Sequence, residues 1–369
     1  MQSEEIDMTH RERVEAALNH EVPDRCPMQI SFTPEFADRL ADKMNLTDKN
    51  HNPHGGGNNC DLEIALDEDI LLTSVGWADS YYNDDKNIKE YTDEWGIGWN
   101  TAEYTTKFGT GRYTEITGNP LSDDNSISSY KAPDPNRSEL YKGSEDLLAK
   151  YKKDYWICGV TVTTIFETAW ALRGLDKLMM DFVLNPELAE EILDIPYRYH
   201  LAAAEKLVKM GVDMIWTGDD MGGQNTMMIS PDMWRQFFKP KMAHFFSSLK
   251  AINTDIKIAY HSDGVIEPII PDLIEIGLDI LNPIQPASMD PADLGKKFGD
   301  KLSFWGTIDE QYTLPFGTPV DVKKEIETRL DTIGLNGGLI LGPTHHVQLD
   351  TPMENFEMMV KTIKETSCK

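Results

Sequence analysis

From about Asp154 onward, short apolar runs alternate with longer amphipathic stretches. The runs cover 155–164 (YWICGVTVTT), 212–217 (VDMIWT), 256–260 (IKIAY), 277–281 (GLDIL), 302–307 (LSFWGT) and 337–342 (GGLILG). Continuous apolar runs of this length read as strands buried on both faces. Between them, apolar residues at helical spacing predict helices over 168–184, 186–210 and 231–252. Short buried strands alternating with helices make parallel β/α units. Six such units in the C-terminal two-thirds, with at least one more needed upstream, predict an α/β fold closed into a (β/α)8 TIM barrel. A doubly wound sheet is the alternative, but no Gly-x-Gly-x-x-Gly turn follows any of the runs.

The upstream pattern is less regular. Val14, Ala17 and Leu18 at helical spacing behind Thr9 predict a helix over 9–20, stopped by Pro23 and Pro27. The stretch 45–60 (NLTDKNHNPHGGGNNC) holds His51 and His54 among Asn and Gly; it suits a metal-binding tract or, better on composition, a flexible loop. Alternating Tyr, Thr and Trp separated by Gly and Asp predict an antiparallel hairpin region within 68–126, and KAPDPN (131–136) marks re-entry into the main fold. The expected organisation is a single barrel domain over 1–369, in which 1–150 contains an N-terminal helical and hairpin extension or lid.

Length suits one elaborated barrel, although 369 residues would also hold two ordinary domains. The net charge of −27 excludes a nucleic-acid partner, since phosphate binding needs clustered Lys and Arg, and it disfavours an anionic membrane surface. The polar N-terminus has no apolar signal core, and no segment approaches the ~18 apolar residues of a membrane span. Cys26, Cys60, Cys158 and Cys368 are scattered without Cys-x-x-Cys spacing, as expected for free thiols in the cytoplasm. Oligomeric state stays open, a symmetric homodimer being the commonest arrangement.

Active sites of this fold sit just beyond the C-terminal ends of the strands. There the chain places Glu167; Asp219, Asp220 and Gln224; His261 and Asp263; Asn282 and Gln285; Asp309; and His345 and His346. His261 and Asp263 are two residues apart at a strand end and so can point the same way. With His345 they make a three-ligand set that leaves a position open, the pattern of a catalytic Zn²⁺ site and one that also suits non-haem iron. The same histidines could instead bond to backbone and shape the pocket. Asp219 and Asp220 either close a turn or supply a general base or substrate-orienting carboxylate; Glu167 either caps the following helix or acts in catalysis. Gln224, Asn282, Gln285, Asp309 and His346 are the expected substrate-binding groups.

These strand ends lie within longer stretches that resemble the uroporphyrinogen decarboxylase superfamily, which includes corrinoid-linked methyltransferases. The similar stretches are 9–27, 167–194, SPDMWRQFFKPKM (230–242), YHSDG (260–264), FWGTID (304–309) and GPTHHVQLDTPMENFEMM (342–359). The decarboxylases carry an arginine-rich segment that grips substrate carboxylates, whereas the corresponding MQISFTPEF (28–36) has no arginine. The methyltransferase branch binds zinc through His-x-Cys and a later Cys. His261 matches directly, Asp263 stands at the first Cys and His345 near the later one. The resemblance therefore implies a zinc site with harder ligands, suited to polarising oxygen rather than activating a thiol. It implies methyl transfer from a small methylated substrate, O-methylated before N-methylated, to cobalamin carried by a separate corrinoid protein. The alternatives are a metal-free decarboxylase of this superfamily acting on a smaller substrate, and a binding barrel without chemistry.

Overall fold

The computed structural model describes residues 8–47, 51–81 and 88–368. Parts of the polar N-terminus (1–7), of the His/Gly loop (48–50) and of the aromatic stretch (82–87) therefore lie outside the described residues. Ten strands are present among those described: β1 (Ile70–Ser74), β2 (Glu90–Thr92), β3 (Gly98–Thr106), β4 (Gly109–Gly118), β5 (Trp156–Val160), β6 (Met214–Gly218), β7 (Lys257–His261), β8 (Ile280–Asn282), β9 (Ser303–Ile308) and β10 (Leu339–Pro343). Seven form one parallel sheet in the order β1-β5-β6-β7-β8-β9-β10. Neighbours in the sheet are also neighbours in the chain, so every helical crossover advances the sheet in one direction and the sheet curls.

The period of two in each strand sorts its side chains between two apolar clusters. Ile70, Leu72, Trp156, Cys158, Val160, Met214, Trp216, Ala259, Ile280, Trp305 and Ile340 pack with one another. Leu71, Ile157, Ile215, Ile258, Leu281, Phe304 and Leu341 join the larger cluster that includes the helices. The strands are thus covered on both faces, which explains their continuous apolar runs.

Between β10 and β1 runs the segment 27–31. Gln29 N–H donates to Leu341 C=O (3.0 Å) and Leu341 N–H to Pro27 C=O (2.8 Å); on the other side Asp69 N–H donates to Met28 C=O (2.9 Å). Gly342 permits this approach, because a Cβ there would meet Gln29 C=O at 2.1 Å. Just before β1, fully buried Asp69 accepts from Met28 N–H (2.8 Å), Arg13 (2.7 Å), Arg25 (2.7 Å) and His10 Nδ1 (2.9 Å). The first helix, His10–Leu18, starts at Thr9 with a capping box and brings His10 and Arg13 to this cluster.

Three expectations change. The stretch 68–126 does contain an antiparallel sheet, β2-β3-β4, but its opening residues form β1 of the parallel sheet rather than part of a lid. Two predicted helices are each two: Gly174, at φ 94°, separates Phe166–Arg173 from Leu175–Leu184, and a break at Phe238 separates Pro231–Phe237 from Lys239–Ile252. The described part of the 45–60 loop is internally bonded, not loose: Asn52 and Asn58 exchange hydrogen bonds, and Asn52 also accepts from His54 and Gly55 N–H. The helix Pro186–Met210 forms as expected. Among the described residues no helix is long and apolar enough to cross a membrane.

Candidate active site

At the end of β6, Gly218 has φ 119° and touches the backbone of His261 so closely that a Cβ would meet its C=O at 2.3 Å. Only glycine lets the ends of β6 and β7 converge this way. The chain then splits the aspartate pair. Asp219 turns back to the helix Phe166–Arg173, where its buried carboxylate accepts from Ile165 and Glu167 N–H (3.0 and 3.1 Å). Burial nevertheless pushes it up to about 7. Asp220 turns forward into a cavity of about 210 Å³ and accepts from Asp263 N–H (2.8 Å).

The orientation of His261 follows from its neighbours. Asn282 Nδ2 donates to Trp305 C=O (3.2 Å), so Asn282 Oδ1 faces the other way and accepts from Trp216 Nε1 (3.0 Å) and His261 Nδ1 (2.8 Å). With its proton on Nδ1, His261 presents the Nε2 lone pair to Asp220 Oδ1 at 3.5 Å. Gln285 accepts from Gly264 N–H (2.7 Å) and donates to the carboxylate of Asp263. Asp263 Oδ1 is buried without a partner. Donor atoms of Asp220, His261 and Asp263 lie within 4.8 Å of one another, the one such group among the described residues. A lone pair fixed by a side-chain amide and an unmatched carboxylate oxygen suit a divalent cation of the harder kind.

Glu167 lines the same cavity, accepting from Asp220 N–H (3.1 Å). Burial, then the charge of Asp220, raises it well above the usual carboxylate range; burial and Asp220 also raise Asp263. Among the described residues no Lys or Arg lines the cavity. The opposite wall is built differently. Gln29 and Ser31 from the 27–31 segment, with Gln29 Nε2 donating to Ser31 (3.2 Å), stand beside His54, His345 and His346. His54 and His346 meet edge to face with centroids 5.0 Å apart. Burial, then the nearby His261 and His345, pushes His54 down to about 3; burial and its histidine neighbours also hold His346 well below its ordinary value. Thr163, a β-branched residue at φ 60°, and Tyr81 complete the rim.

Several predicted residues converge on this cavity: Glu167, Asp220, His261, Asn282, His345 and His346 line it, with Asp263 and Gln285 directly behind. His345 belongs to the cavity but not to the tight donor group, where Asp220 stands instead. Three go elsewhere. Asp219 caps a helix; Asp309 accepts from Gln311 and Thr313 N–H in a turn; Gln224 is exposed on its loop. Gln29, Ser31, His54 and Tyr81 escaped the strand-end reading because none follows an apolar run recognised in the sequence, and Thr163 because the run 155–164 extends past β5, which ends at Val160. The glycine run after His54 was the available signal, since such residues permit close backbone approach.

Residues 103–366 match the family described as uroporphyrinogen decarboxylase (URO-D). A methylcobamide:CoM methyltransferase from Methanosarcina barkeri is 29% identical over 191 residues, 51% of this chain and 52% of that protein. The chain thus spans about half the length of this curated relative. A uroporphyrinogen decarboxylase from Legionella pneumophila is 23% identical over 290 residues, 76% of this chain and 77% of that protein. The fold matches the solved structure of a methyltransferase from Methanosarcina mazei at a TM-score of 0.69 and 20% identity, covering 97% of this chain and 99% of that one.

Proposed function

The chain belongs to the uroporphyrinogen decarboxylase family, and on that footing we propose that it is a corrinoid-dependent methyltransferase, taking a methyl group from a small methylated substrate, preferentially O-methylated, to cobalamin carried by a separate protein. The observation that carries this reading is the donor group of Asp220, His261 and Asp263 in a cavity that no Lys or Arg lines among the described residues. Clustered carboxylates call for a positive charge, which no described lining residue supplies. Zinc fits: His261 through Nε2, Asp263 and Asp220 would hold it, with His345 facing the same space. When bound, the metal would polarise the methylated oxygen. Glu167, whose carboxyl burial raises well above its usual range, would be the group to give a proton to that oxygen as its bond to methyl breaks, the corrinoid being the acceptor of the methyl group. Asp220 orients the centre, and Asn282 holds His261 in the productive tautomer.

The cavity is smaller than the ~300 Å³ at which drug-sized ligands begin to fit, which favours a small substrate. Gln29 and Ser31 come from the segment that corresponds to the arginine-rich clamp of the decarboxylases, so a polycarboxylate would meet acidic side chains with no Lys or Arg among the described lining residues. The longer match to the Legionella protein favours a second reading, decarboxylation of a small acid, against which the same electrostatics count. In the preferred reading 27–31 serves as the eighth strand of a closed single-domain barrel, and four free thiols accord with a cytoplasmic address. Incubation with cob(I)alamin and a panel of methyl ethers and methylamines is expected to bleach the Co(I) absorbance. Silence across the panel, or release of CO₂ from small acids instead, defeats the proposal.

A further inference from the structure

Two of the four thiols meet at the floor of the sheet, the end remote from the cavity. Cys26 opens the 27–31 segment and lies against Leu339, the first residue of β10, whose C=O its S–H reaches at 3.2 Å. After the helix Met353–Glu365 the chain returns to the same floor, where Ser367 forms an isolated antiparallel bridge with Arg25. Alternation then puts Cys26 opposite Thr366 and makes Cys368 its diagonal neighbour on the same face. The two side chains share a hydrogen bond.

The partners are unequal. Cys26 is 2% exposed, whereas Cys368 is only partly buried and lines an open groove beside Asp24, Arg25 and Lys364. The Cys26 S–H has two acceptors in reach, Leu339 C=O and the Cys368 sulfur; turned to the second, it steadies a thiolate on Cys368. That bond holds Cys368 below the usual thiol range, while burial and then the same bond push Cys26 well above it. Cys60 and Cys158 are buried, and burial pushes both up, away from the reactive thiolate. An accessible, thiolate-favouring cysteine beside a second thiol is the arrangement that oxidants select.

We propose that Cys368 and Cys26 are a redox-responsive pair, which a hydroperoxide converts reversibly to a disulfide. The Cys368 thiolate attacks one peroxide oxygen and the O–O bond breaks. Cys368 is thereby oxidised by two electrons to a sulfenic acid, and the departing hydroxide takes up a proton to become water. The Cys26 sulfur then attacks the Cys368 sulfur; the S–S bond forms, the S–O bond breaks, and the Cys26 proton leaves with the hydroxide as a second water. A disulfide requires Cα atoms within about 7 Å, and a segment held by one isolated bridge is free to shift to meet that demand. The bond would close a loop of nearly the whole chain and fasten the start of the segment that brings Gln29 and Ser31 to the cavity. The pair stands independently of the methyl-transfer reading.

The test exposes the reduced, purified full chain to hydrogen peroxide while it is folded. Thiols are then counted after denaturation, beside intact mass, peptide mapping and melting temperature. The four free thiols should fall to two, with the loss of two hydrogen atoms in mass and a mapped link between Cys26 and Cys368. The melting temperature should rise by several degrees, and dithiothreitol should reverse every change. Cys368→Ser should keep its remaining thiols and show no rise. Cys26→Ser should instead leave a sulfenic acid on Cys368, trapped as a dimedone adduct. Four thiols retained in the wild type overturn the proposal, as does a gain of oxygen mass without a disulfide. A disulfide that joins two chains, or that links any other cysteines, overturns it equally.

Discussion

Replacing Asp69 by Asn should loosen the 27–31 segment that carries Gln29 and Ser31, from the far ends of the strands. Asp69 is fully buried and accepts from both Arg13 and Arg25 as well as from Met28 N–H. Arg13 would keep Asp24 at 2.7 Å, but Arg25 would be left with Asp67, a half-exposed carboxylate at 3.3 Å. Breaking one member of a buried ion pair typically costs about 3–5 kcal/mol. Because Asn keeps one acceptor oxygen for Met28, the lower end, about 3 kcal/mol, is expected. The charge also sets a pH dependence. Burial raises Asp69, but His10, Arg25 and Arg13 together outweigh it and hold the carboxyl below its ordinary range. Its contribution is therefore present above about pH 4 and lost as the pH falls below that value. Equilibrium urea unfolding of wild type and Asp69→Asn at pH 7 and at pH 3 measures both effects, and amide exchange at Met28 and Gln29 localises them. A loss under about 1 kcal/mol at pH 7, the range of an exposed pair, would refute the argument. So would unchanged exchange in 27–31. Replacing Asp69 and Arg25 together by apolar residues should cost less than Asp69→Asn alone, since it strands no charge on Arg25.

Asn282→Leu should weaken zinc retention by about 10–100-fold, read by competition with a chromogenic chelator, because His261 loses the acceptor that fixes its tautomer. Gly218→Ala should displace His261 and reduce metal content, since the added Cβ meets His261 C=O at 2.3 Å; full metal loading would contradict the close approach. Glu167→Gln should lower turnover by about 10²–10⁴-fold, and the wild-type rate should fall as pH rises through the raised value of Glu167, because the protonated form is the active one. His200 donates from Nδ1 to Pro196 C=O and accepts from Trp77 N–H, and burial pushes it down to about 4. Stability should therefore be lost as pH falls from about 6.5 to 4, by about 3 kcal/mol, and His200→Gln should flatten that slope in urea titrations.

The C-terminal two-thirds of the fold was legible because buried strands of a parallel sheet carry unbroken apolar runs. The residues following those runs then had to meet at one face, which brought Glu167, Asp220, His261, Asn282 and His346 into view together. What stayed hidden has local causes. β1 is preceded by charged Glu68 and Asp69 and followed by aromatic hairpin sequence, so its five residues looked like the start of an insertion. Segment 27–31 makes ladder bonds only at scattered positions, and its MQIS pattern alternates like an exposed strand. Asp219 and Asp220 are indistinguishable by sequence, and only the turn at Gly218 decides which faces the cavity. His54 was misjudged because Asn and Gly around it signal looseness, whereas here they supply hydrogen bonds and close backbone contact.

Gln29, Ser31, His54 and Tyr81 all precede residue 103, while Glu167, Asp220, His261, Asp263, Asn282 and His345 fall inside the stretch 103–366 that matches the family. Residues lining the cavity thus come from both outside and inside the stretch that matches the family. Under the proposed function, exchanging the first hundred residues would alter the Gln29, Ser31, His54 and Tyr81 side of the cavity and leave the Asp220, His261 and Asp263 group in place. Grafting this N-terminal stretch onto a relative would then carry substrate taste with it, much as a changed lens alters what a fixed detector sees.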